Sequence, residues 1–348
     1  MADVMVSDGY LSVGYDRVNI DDCWMARQRG DDGSLIADKQ RFPNGINALS
    51  DYMHQLGLKL GIYQSIGITT CMGFPGSYDH LEIDAKTFAL WNVDMVKMDG
   101  CQVPVPLDGL YMKFGAYLNA TGKSIVYSCS WPYYQIHYSE IIPAFAEIAK
   151  ICNLWRTYHD IKPKWEIILA TIDFYGDFQE IFHRYVRPGH WNDPDMLLVG
   201  NPKLSVNEAK VQFGIWAILA APLLMSVDLR SIDSSYKEIL LNKEVIDINQ
   251  DELGIPGKRI FHNSTLDIWF RRLSTKNLTT SSYAFAFLNR LSNGHVLDIS
   301  VRLIEFELYS NYHFRDVLDK TDLGVLRPND LLRVKIAPRS IRLIKASP

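Results

Sequence analysis

The stretch that decides the fold is residues 49–63, which read LSDYMHQLGLKLGIY. Its first half carries apolar side chains at helical spacing, and Gly57 follows them as a C-terminal stop. Its second half, residues 58–63, is an apolar run of strand length. The stretch therefore predicts a helix that passes directly into a buried strand. The helical positions are Leu49, Tyr52, Met53 and Leu56.

The same alternation of helix and short apolar strand recurs up to about residue 255. Helical sequence around Phe88 and Trp91 precedes a strand over 93–99. About seven such units, with strands too apolar to have a solvent face, predict a parallel sheet, either doubly wound or closed as an eight-stranded barrel. Glycine-rich phosphate loops are absent, which disfavours the dinucleotide-binding version. Further strands are predicted near residues 17–21, 124–129, 152–156, 191–197 and 223–228.

The pattern changes after Pro256. Large apolar side chains then recur at every second position over short runs that are separated by Asn, Gly and Pro. This period of two predicts an antiparallel β-sandwich. A chain of 348 residues also exceeds the usual size of one hydrophobic core, so two domains are expected, over 1–255 and 256–348. The alternating positions are Tyr283, Phe285 and Phe287, and later Val334 and Ile336.

Composition excludes several classes of partner. The chain is 47% hydrophobic and 22% charged, as is typical of globular proteins, and its formal net charge is -4. It has no dense Lys/Arg cluster, which disfavours nucleic acid and anionic membranes as partners. The longest apolar stretch, residues 213–227, contains Pro222 and is too short to span a bilayer. It predicts a buried helix followed by a buried strand, without membrane insertion.

Acidic side chains follow the predicted strands, where the mouth of a parallel barrel would lie. Any one of them could be a helix N-cap, a turn residue or the partner of a nearby cation. A metal site is disfavoured because no histidines stand at ligand spacing. Paired carboxylates without a metal or a phosphate loop favour glycoside hydrolysis, with retention or inversion left open. The polar positions are Asp21, Asp22, Lys97, Asp99, Arg156, Asp160, Asn192, Asp193 and Asp195.

Six ordered motifs resemble glycoside hydrolase family 27, which contains the α-galactosidases and α-N-acetylgalactosaminidases. The resemblance is strong over residues 1–255 and implies a (β/α)8 barrel, a C-terminal β-sandwich, a retaining double-displacement mechanism and no cofactor. The motifs are Ile-Asp-Asp-Cys-Trp (20–24), Lys-Leu-Gly-Ile-Tyr (59–63), Val-Lys-Met-Asp-Gly-Cys (96–101), Tyr-Ser-Cys-Ser-Trp-Pro (127–132), Cys-Asn-Leu-Trp-Arg (152–156) and His-Trp-Asn-Asp-Pro-Asp-Met (190–196).

The resemblance also implies a role for each site residue. Asp99 is expected to be the nucleophile, and Asp160, four residues beyond Arg156, the acid/base. Asp21 and Asp22 would bind the 4- and 6-hydroxyls and so select galacto-configured sugars. The remaining substrate-binding positions implied by the resemblance are Tyr63, Cys71, Lys97, Ser130, Tyr133, Tyr134, Arg156, Asp195 and Met196.

Substrate choice depends on the segment after Cys129. Ser130 matches the N-acetylgalactosaminidases, which leave room for the acetamide, whereas Tyr133 stands where those enzymes have Ala. The expected substrate is an oligosaccharide, glycolipid or glycoprotein with terminal α-linked N-acetylgalactosamine. The alternatives are an α-galactosidase of the same family and a catalytically impaired sugar-binding fragment.

The five cysteines fit the same resemblance, which implies the pairs Cys71–Cys101 and Cys129–Cys152. Cys23 is left over, and its expected partner lies upstream of Met1, together with the first barrel strand and a signal peptide. The resemblance also implies a lysosomal or secreted enzyme that forms a homodimer. Three sequons are consistent with this location, at Asn119, Asn263 and Asn277.

Overall fold

The computed structural model describes residues 1–104, 106–139, 141–275 and 281–348. The chain divides into two compact units, Met1–Thr157 and Tyr158–Pro348, and each is described by itself.

The first unit contains a parallel sheet of five strands that are hydrogen-bonded in chain order. Helices connect the strands, as the alternating pattern predicts, and a short 3₁₀ helix, Leu11–Val13, follows the first helix. The strands are β1 (Arg17–Ile20), β2 (Lys59–Ser65), β3 (Met95–Asp99), β4 (Val126–Cys129) and β5 (Leu154–Arg156). The helices are α1 (Ala2–Ser7), α2 (Gly45–Gln55), α3 (Leu81–Leu90), α4 (Leu107–Ala120), α5 (Trp131–Tyr138) and α6 (Phe145–Ile151).

The junction of α2 and β2 shows how local sequence sets this unit. The helix ends at Gln55 with Leu56 as its C-cap, and Gly57 takes the left-handed conformation (φ 76°) that glycine adopts without strain. The six residues of β2 after Lys59 are all buried, so this strand has no solvent face. Because the strands are parallel, the carboxyl ends of β3, β4 and β5 lie at one edge of the sheet. This edge carries Asp99.

The second unit begins with helices and one short strand. These elements are α7 (Trp165–Asp177), α8 (Gln179–His183), β6 (Trp191–Asp193), α9 (Val206–Ile218), α10 (Ser234–Leu240) and α11 (Lys243–Asn249). The predicted buried helix within 213–227 is confirmed by α9. The strand predicted over 223–228 is wrong in extent, because only one parallel bridge forms, between Leu197 and Met225. Leu223 and Leu224, at the start of that segment, are only half-buried.

The rest of the second unit is antiparallel β-structure. A six-stranded sheet has the order β12-β11-β14-β9-β8-β7, and β10 pairs with β13 in a second sheet. A short 3₁₀ helix, Leu303–Phe306, follows β10. The strands are β7 (Lys258–His262), β8 (Leu266–Leu273), β9 (Ser282–Asn289), β10 (Leu297–Arg302), β11 (Tyr312–Asp316), β12 (Thr321–Leu326), β13 (Leu331–Ile336) and β14 (Ser340–Ser347).

One hydrophobic core joins these two sheets. Phe285 and Phe287 from β9 pack with Val334 and Ile336 from β13, while Tyr283 is partly buried against the same cluster. The alternating pattern in the sequence therefore predicted the inward faces correctly, and the arrangement is a β-sandwich.

Helix α9 supports this sandwich from within the same unit. Ten of its thirteen residues are buried, and it lies against β8, β9 and β14. Ser205 starts the helix with a capping box, in which its hydroxyl accepts from the Glu208 N–H and the Glu208 carboxylate accepts from the Ser205 N–H. The buried guanidinium of Arg271 donates to the carbonyl of Ala217, near the end of α9. Burial lowers the pKa of Arg271 to about 10.

Candidate active site

Asp99 closes β3 with its carboxylate held by three donors. The Tyr63 hydroxyl donates to Oδ2 at 3.0 Å, and the Tyr134 hydroxyl donates to Oδ1 at 2.7 Å. The backbone N–H of Gly100 also donates to Oδ1, at 3.0 Å. Three hydrogen bonds to one carboxyl group fix its orientation. Asp99 is therefore held in one orientation at the end of β3.

The two phenols are suited to remain donors. Burial, followed by the charges of Asp99 and Asp22, raises the pKa of Tyr63 far above its usual value. Burial and the charge of Asp99 likewise raise the pKa of Tyr134. Both hydroxyls therefore keep their protons at neutral pH and well above it. The indole N–H of Trp24 donates to the Tyr63 carbonyl at 2.8 Å and so fixes the backbone of this residue.

Lys97 makes its ion pair with Asp21. Its Nζ lies 2.7 Å from the Asp21 Oδ2 and 5.2 Å from the centre of the Tyr63 ring. Burial lowers the pKa of Lys97, but the charges of Asp21 and Asp99 outweigh this effect and raise it above the usual value. Lys97 is therefore a cation that both carboxylates stabilise, although its hydrogen bond goes to Asp21.

Asp22 holds the loop that follows β2. Its Oδ2 accepts from the Met72 N–H at 3.0 Å, and its Oδ1 accepts from the Cys23 N–H at 2.6 Å. Cys23 has a left-handed backbone (φ 71°), which costs a non-glycine residue about 1 kcal/mol or more. Asp22, which is expected to bind a sugar hydroxyl, therefore also accepts hydrogen bonds from the backbone beside the site.

The disulfide Cys71–Cys101 lies beside the nucleophile candidate. The Cys71 Sγ is 3.4 Å from the Asp99 Oδ2, and the Cys101 Sγ is 3.1 Å from the Tyr134 hydroxyl oxygen. Gly100 lies between Asp99 and Cys101 in the chain. A glycine is required there, because a Cβ at this position would lie 2.5 Å from the Tyr134 ring. The disulfide and the glycine therefore fix the ring that orients Asp99.

The predicted specificity residues lie at the start of α5. Ser130 is its N-cap residue, is buried, and donates its N–H to the Met98 carbonyl at 3.0 Å. The Tyr133 ring packs edge-on against Tyr134, with 5.1 Å between ring centres. The disulfide Cys129–Cys152 links the end of β4 to the residue that follows α6, and Arg156 is buried at the end of β5. Both disulfide pairs implied by the resemblance are thus present, and Cys23 is a free thiol.

The second unit carries the remaining predicted site residues, Asp160, Asp195 and Met196. Asp160 is exposed on the loop between β5 and α7. Asp195 is buried, and its carboxylate accepts from the backbone N–H groups of Ile161 and Met196, each at 2.8 Å. Asp195 also has a left-handed backbone, with φ 82°. Its side chain therefore ties down the loop that carries Asp160.

Sequence reasoning missed three groups that build the site. The Gly100 N–H, the Met72 N–H and the Trp24 indole all bond predicted site residues. Trp24 and Gly100 stand inside the quoted motifs, so these motifs contained a signal for two of the three. Met72 has no such signal, because only its backbone N–H contacts the site and any residue except proline could supply that group.

Two side-chain clusters in the described part of the chain have ligand types that could hold a metal ion. In the first, the sulfurs beside Asp99 belong to a disulfide, which leaves no thiolate to coordinate a cation. The second combines Asp173, His262 and Asp267. Arg290 already pairs with both of these carboxylates, at 2.7 Å and 2.6 Å, so the cluster is an ion-pair network.

The predicted glycosylation positions lie on the surface where they are described. Asn119 is exposed near the end of α4. Asn263 is exposed in the turn before β8, where its side-chain oxygen accepts from the N–H groups of Thr265 and Leu266. Asn277 lies outside the described residues.

The chain is similar in sequence to known glycosidases. The family model described as alpha galactosidase A (Melibiase_2) matches residues 1–251. The chain belongs to this alpha galactosidase A family. It is 48% identical to the human alpha-N-acetylgalactosaminidase over 98% of this chain and 82% of that protein. It is 46% identical to the human alpha-galactosidase A over 84% of this chain and 67% of that protein.

A solved structure of the family also superposes on nearly the whole chain. Alpha-galactosidase I from Mortierella vinacea gives a TM-score of 0.86 at 28% identity, covering 99% of this chain and 90% of that one. The predicted family and the predicted fold class, a (β/α)8 barrel followed by an antiparallel β-sandwich, are confirmed. As a family member, the protein is a glycoside hydrolase. None of the described helices is both long and apolar enough to cross a bilayer.

Proposed function

We propose that the protein is a retaining exo-glycosidase that removes terminal α-linked N-acetylgalactosamine. The Asp99 carboxylate attacks the anomeric carbon and forms a glycosyl-Asp ester as the glycosidic bond breaks. Asp160 donates its proton to the departing oxygen. It then takes a proton from water, whose oxygen attacks the anomeric carbon, releases Asp99 and frees the sugar with its α configuration retained.

The observation that carries this proposal is the oriented carboxylate of Asp99. Three donors hold it at the carboxyl edge of the parallel sheet, where barrel enzymes have their active sites. The Lys97–Asp21 pair beside it provides charged groups for a ring of sugar hydroxyls. Because attack on the anomeric carbon requires a carboxylate oxygen held in position, this fixed orientation supports the nucleophile role for Asp99.

Hydrolysis of chromogenic α-GalNAc and α-galactoside substrates tests the proposal. Asp99→Ala should leave only background activity, and Asp160→Ala should lower kcat/KM by about 10²–10⁴-fold. Asp233→Ala is the matched control, since Asp233 is an exposed helix cap whose carboxylate accepts from the Ser235 N–H. Mass spectrometry of the protein with a slow 2-fluoro glycoside should show one sugar on Asp99.

Unchanged activity in either Asp99→Ala or Asp160→Ala would contradict the assignment. Binding of N-acetylgalactosamine without any turnover would instead support the catalytically impaired sugar-binding alternative.

We propose the N-acetylated sugar as the preferred substrate. Ser130 supports this choice as a small buried residue at the start of α5. The Tyr133 ring lies 4.9 Å from the His137 ring, one helical turn further along, so its packing follows the helix. An α-galactosidase remains the alternative because of the size of Tyr133. If the ring blocks the acetamide, Tyr133→Ala should raise the ratio of α-GalNAc to α-galactoside kcat/KM, whereas an unchanged high ratio supports the first choice.

We further propose a lysosomal or secreted homodimer whose barrel and sandwich domains span 1–255 and 256–348. Two disulfides support an oxidising compartment, and the described strands after residue 256 are all antiparallel. Light scattering should give twice the chain mass. Asn119→Gln and Asn263→Gln should each remove one glycan from protein made in a secretory host, and an unchanged mass in both would oppose that location.

A further inference from the structure

An aromatic side chain that the proposed mechanism does not use lies one ring beyond the nucleophile candidate. Tyr134 donates its hydroxyl to Asp99, and its ring stacks on Tyr138, with 5.4 Å between ring centres and 25° between planes. The two residues are four apart on α5, which places them on one face of the helix. Tyr138 is thus coupled to Asp99 through a single shared neighbour.

Tyr138 is also open to solvent, with 72% of its surface exposed. Aromatic residues that serve only as packing are mostly covered, as Tyr134 is to a larger extent in the same helix. The Tyr133 ring contacts both of its neighbours edge-on, at 5.1 Å from Tyr134 and 5.9 Å from Tyr138. These contacts hold the exposed ring in one orientation before any ligand arrives, which lowers the entropic cost of binding to it.

Apolar exposure continues on the two chain segments that flank Asp99. Ile141 and Ile142 follow Tyr138 and are exposed, as are Ile68 and Met72 on the loop that carries Cys71. The solvent side of the site is therefore bordered by apolar side chains, while its inner side carries charged and phenolic groups.

We propose that Tyr138 is the stacking platform for the leaving group, and that this group is the penultimate sugar ring of a glycan. The proposal rests on the exo-glycosidase function above. In such an enzyme the terminal sugar lies against the nucleophile, and the rest of the substrate extends toward solvent. Tyr134 separates Tyr138 from Asp99, so Tyr138 lies on that outward path. A flat ring can cover the C–H face of a pyranose, as it covers other rings.

The test compares kcat/KM of Tyr138→Ala on three substrates with the same terminal sugar. These are a disaccharide with a pyranose leaving group, a 4-nitrophenyl glycoside and a glycosyl fluoride, which has no ring to stack. We expect the disaccharide value to fall about 3- to 10-fold relative to the fluoride value, as for the loss of one aromatic contact. Tyr138→Phe keeps the ring and should retain the wild-type ratio.

Tyr309→Ala is the matched control, because Tyr309 is 71% exposed and lies in the C-terminal region. Its disaccharide-to-fluoride ratio should be unchanged. Any effect that Tyr138→Ala exerts by shifting Tyr134 lowers the rates for all three substrates equally and cancels in the ratio. An unchanged ratio in Tyr138→Ala overturns the platform.

The three substrates also separate this inference from the proposed function. A fall for the nitrophenyl glycoside alone would assign the ring to aromatic leaving groups and overturn the sugar assignment. If wild-type protein hydrolyses the fluoride but Tyr138→Ala leaves the disaccharide-to-fluoride ratio unchanged, the platform is overturned and the glycosidase function is retained. Wild-type protein inactive on all three overturns both, since no leaving group then departs.

Discussion

Replacing Asp195 by Asn tests whether this carboxylate positions Asp160. Asp195 lies in the Trp-Asn-Asp-Pro-Asp-Met segment, whose resemblance to the family predicts a substrate contact. Its two oxygens accept from Ile161 and Met196, and the first of these donors is the residue next to Asp160. The substitution keeps the shape of the side chain and removes its charge, so it perturbs the loop without leaving a cavity.

The structure sets the size of the effect. Asn has one carbonyl oxygen, so one of the two 2.8 Å bonds must be lost, and its NH₂ group then faces a backbone N–H. A hydrogen bond to a charged group is worth about 1.5–3 kcal/mol. That energy bounds how far the loop shifts away from its active conformation. The expected fall in kcat/KM is therefore about 10- to 150-fold.

The assay must separate positioning of the acid from general loss of structure. A leaving group that departs without protonation, such as 2,4-dinitrophenolate, does not need Asp160 in the first step, whereas a methanol or sugar leaving group does. Asp195→Asn should therefore lower kcat/KM for the methyl glycoside much more than for the dinitrophenyl glycoside. Direct binding of substrate by Asp195 would lower both values equally, and this result would refute the positioning role.

Asp316→Asn provides the matched control in the β-sandwich. Asp316 is also buried, and its carboxylate accepts from two backbone N–H groups, those of Leu318 and Asp319, each at 3.1 Å. Thermal unfolding of this variant should show a lower Tm without any dependence on the leaving group. A leaving-group dependence in both variants would mean that the assay reports stability and not the position of Asp160.

Two further predictions concern stability. Cys71→Ser/Cys101→Ser and Cys129→Ser/Cys152→Ser should each cost about 3.5 kcal/mol, because the cross-linked loops have similar lengths of 30 and 23 residues. The first pair contacts Asp99, so at a temperature where both variants are folded its loss should lower kcat/KM more than loss of the second pair, and equal activity losses would oppose its role in the site. Burial lowers the pKa of His183 in the folded protein below its usual value of 6.5, so in this pH range the unfolded chain binds more protons than the folded one. The stability that the neutral ring provides above pH 6.5 is therefore lost as the pH falls through the folded-state pKa. His183→Gln should therefore lose less unfolding free energy than wild type between pH 7 and pH 5, as measured by urea titration.

The fold could be predicted because its signals are local. Residues 49–63 contain the signals for the end of a helix, a glycine stop and an apolar strand, and the structure has the second half of α2 and most of β2 there. The prediction of a strand over 223–228 was wrong in extent, because an apolar run does not by itself determine whether a strand forms. The run is apolar, but strand formation also needs a partner along its length, and only the bridge at Met225 supplies one.

The spacing of Lys97 and Asp99, two apart on a strand, predicts that they share a face, whereas the nucleophile role of Asp99 is implied only by the resemblance. The partner of Lys97 could not be predicted. Sequence proximity suggests Asp99, whereas the ammonium bonds Asp21, which is 76 residues away. Pairings of this kind depend on where neighbouring strands end, and residue spacing does not contain that information.

The hydrogen-bond partners of the acidic residues could not be predicted from the sequence either. Several carboxylates at one end of a barrel suggest many acceptors for sugar hydroxyls. However, Asp22 accepts from the backbone N–H of Met72, and Asp195 accepts from the backbone N–H of Ile161. Each of these bonds holds a loop that carries another predicted site residue, Cys71 in one case and Asp160 in the other. A carboxylate in this role fixes geometry through hydrogen bonds and still contributes negative charge to the site. The number of acidic residues therefore does not by itself give the number of direct sugar contacts, and the rates of Asp195→Asn on different leaving groups distinguish the two roles for that residue.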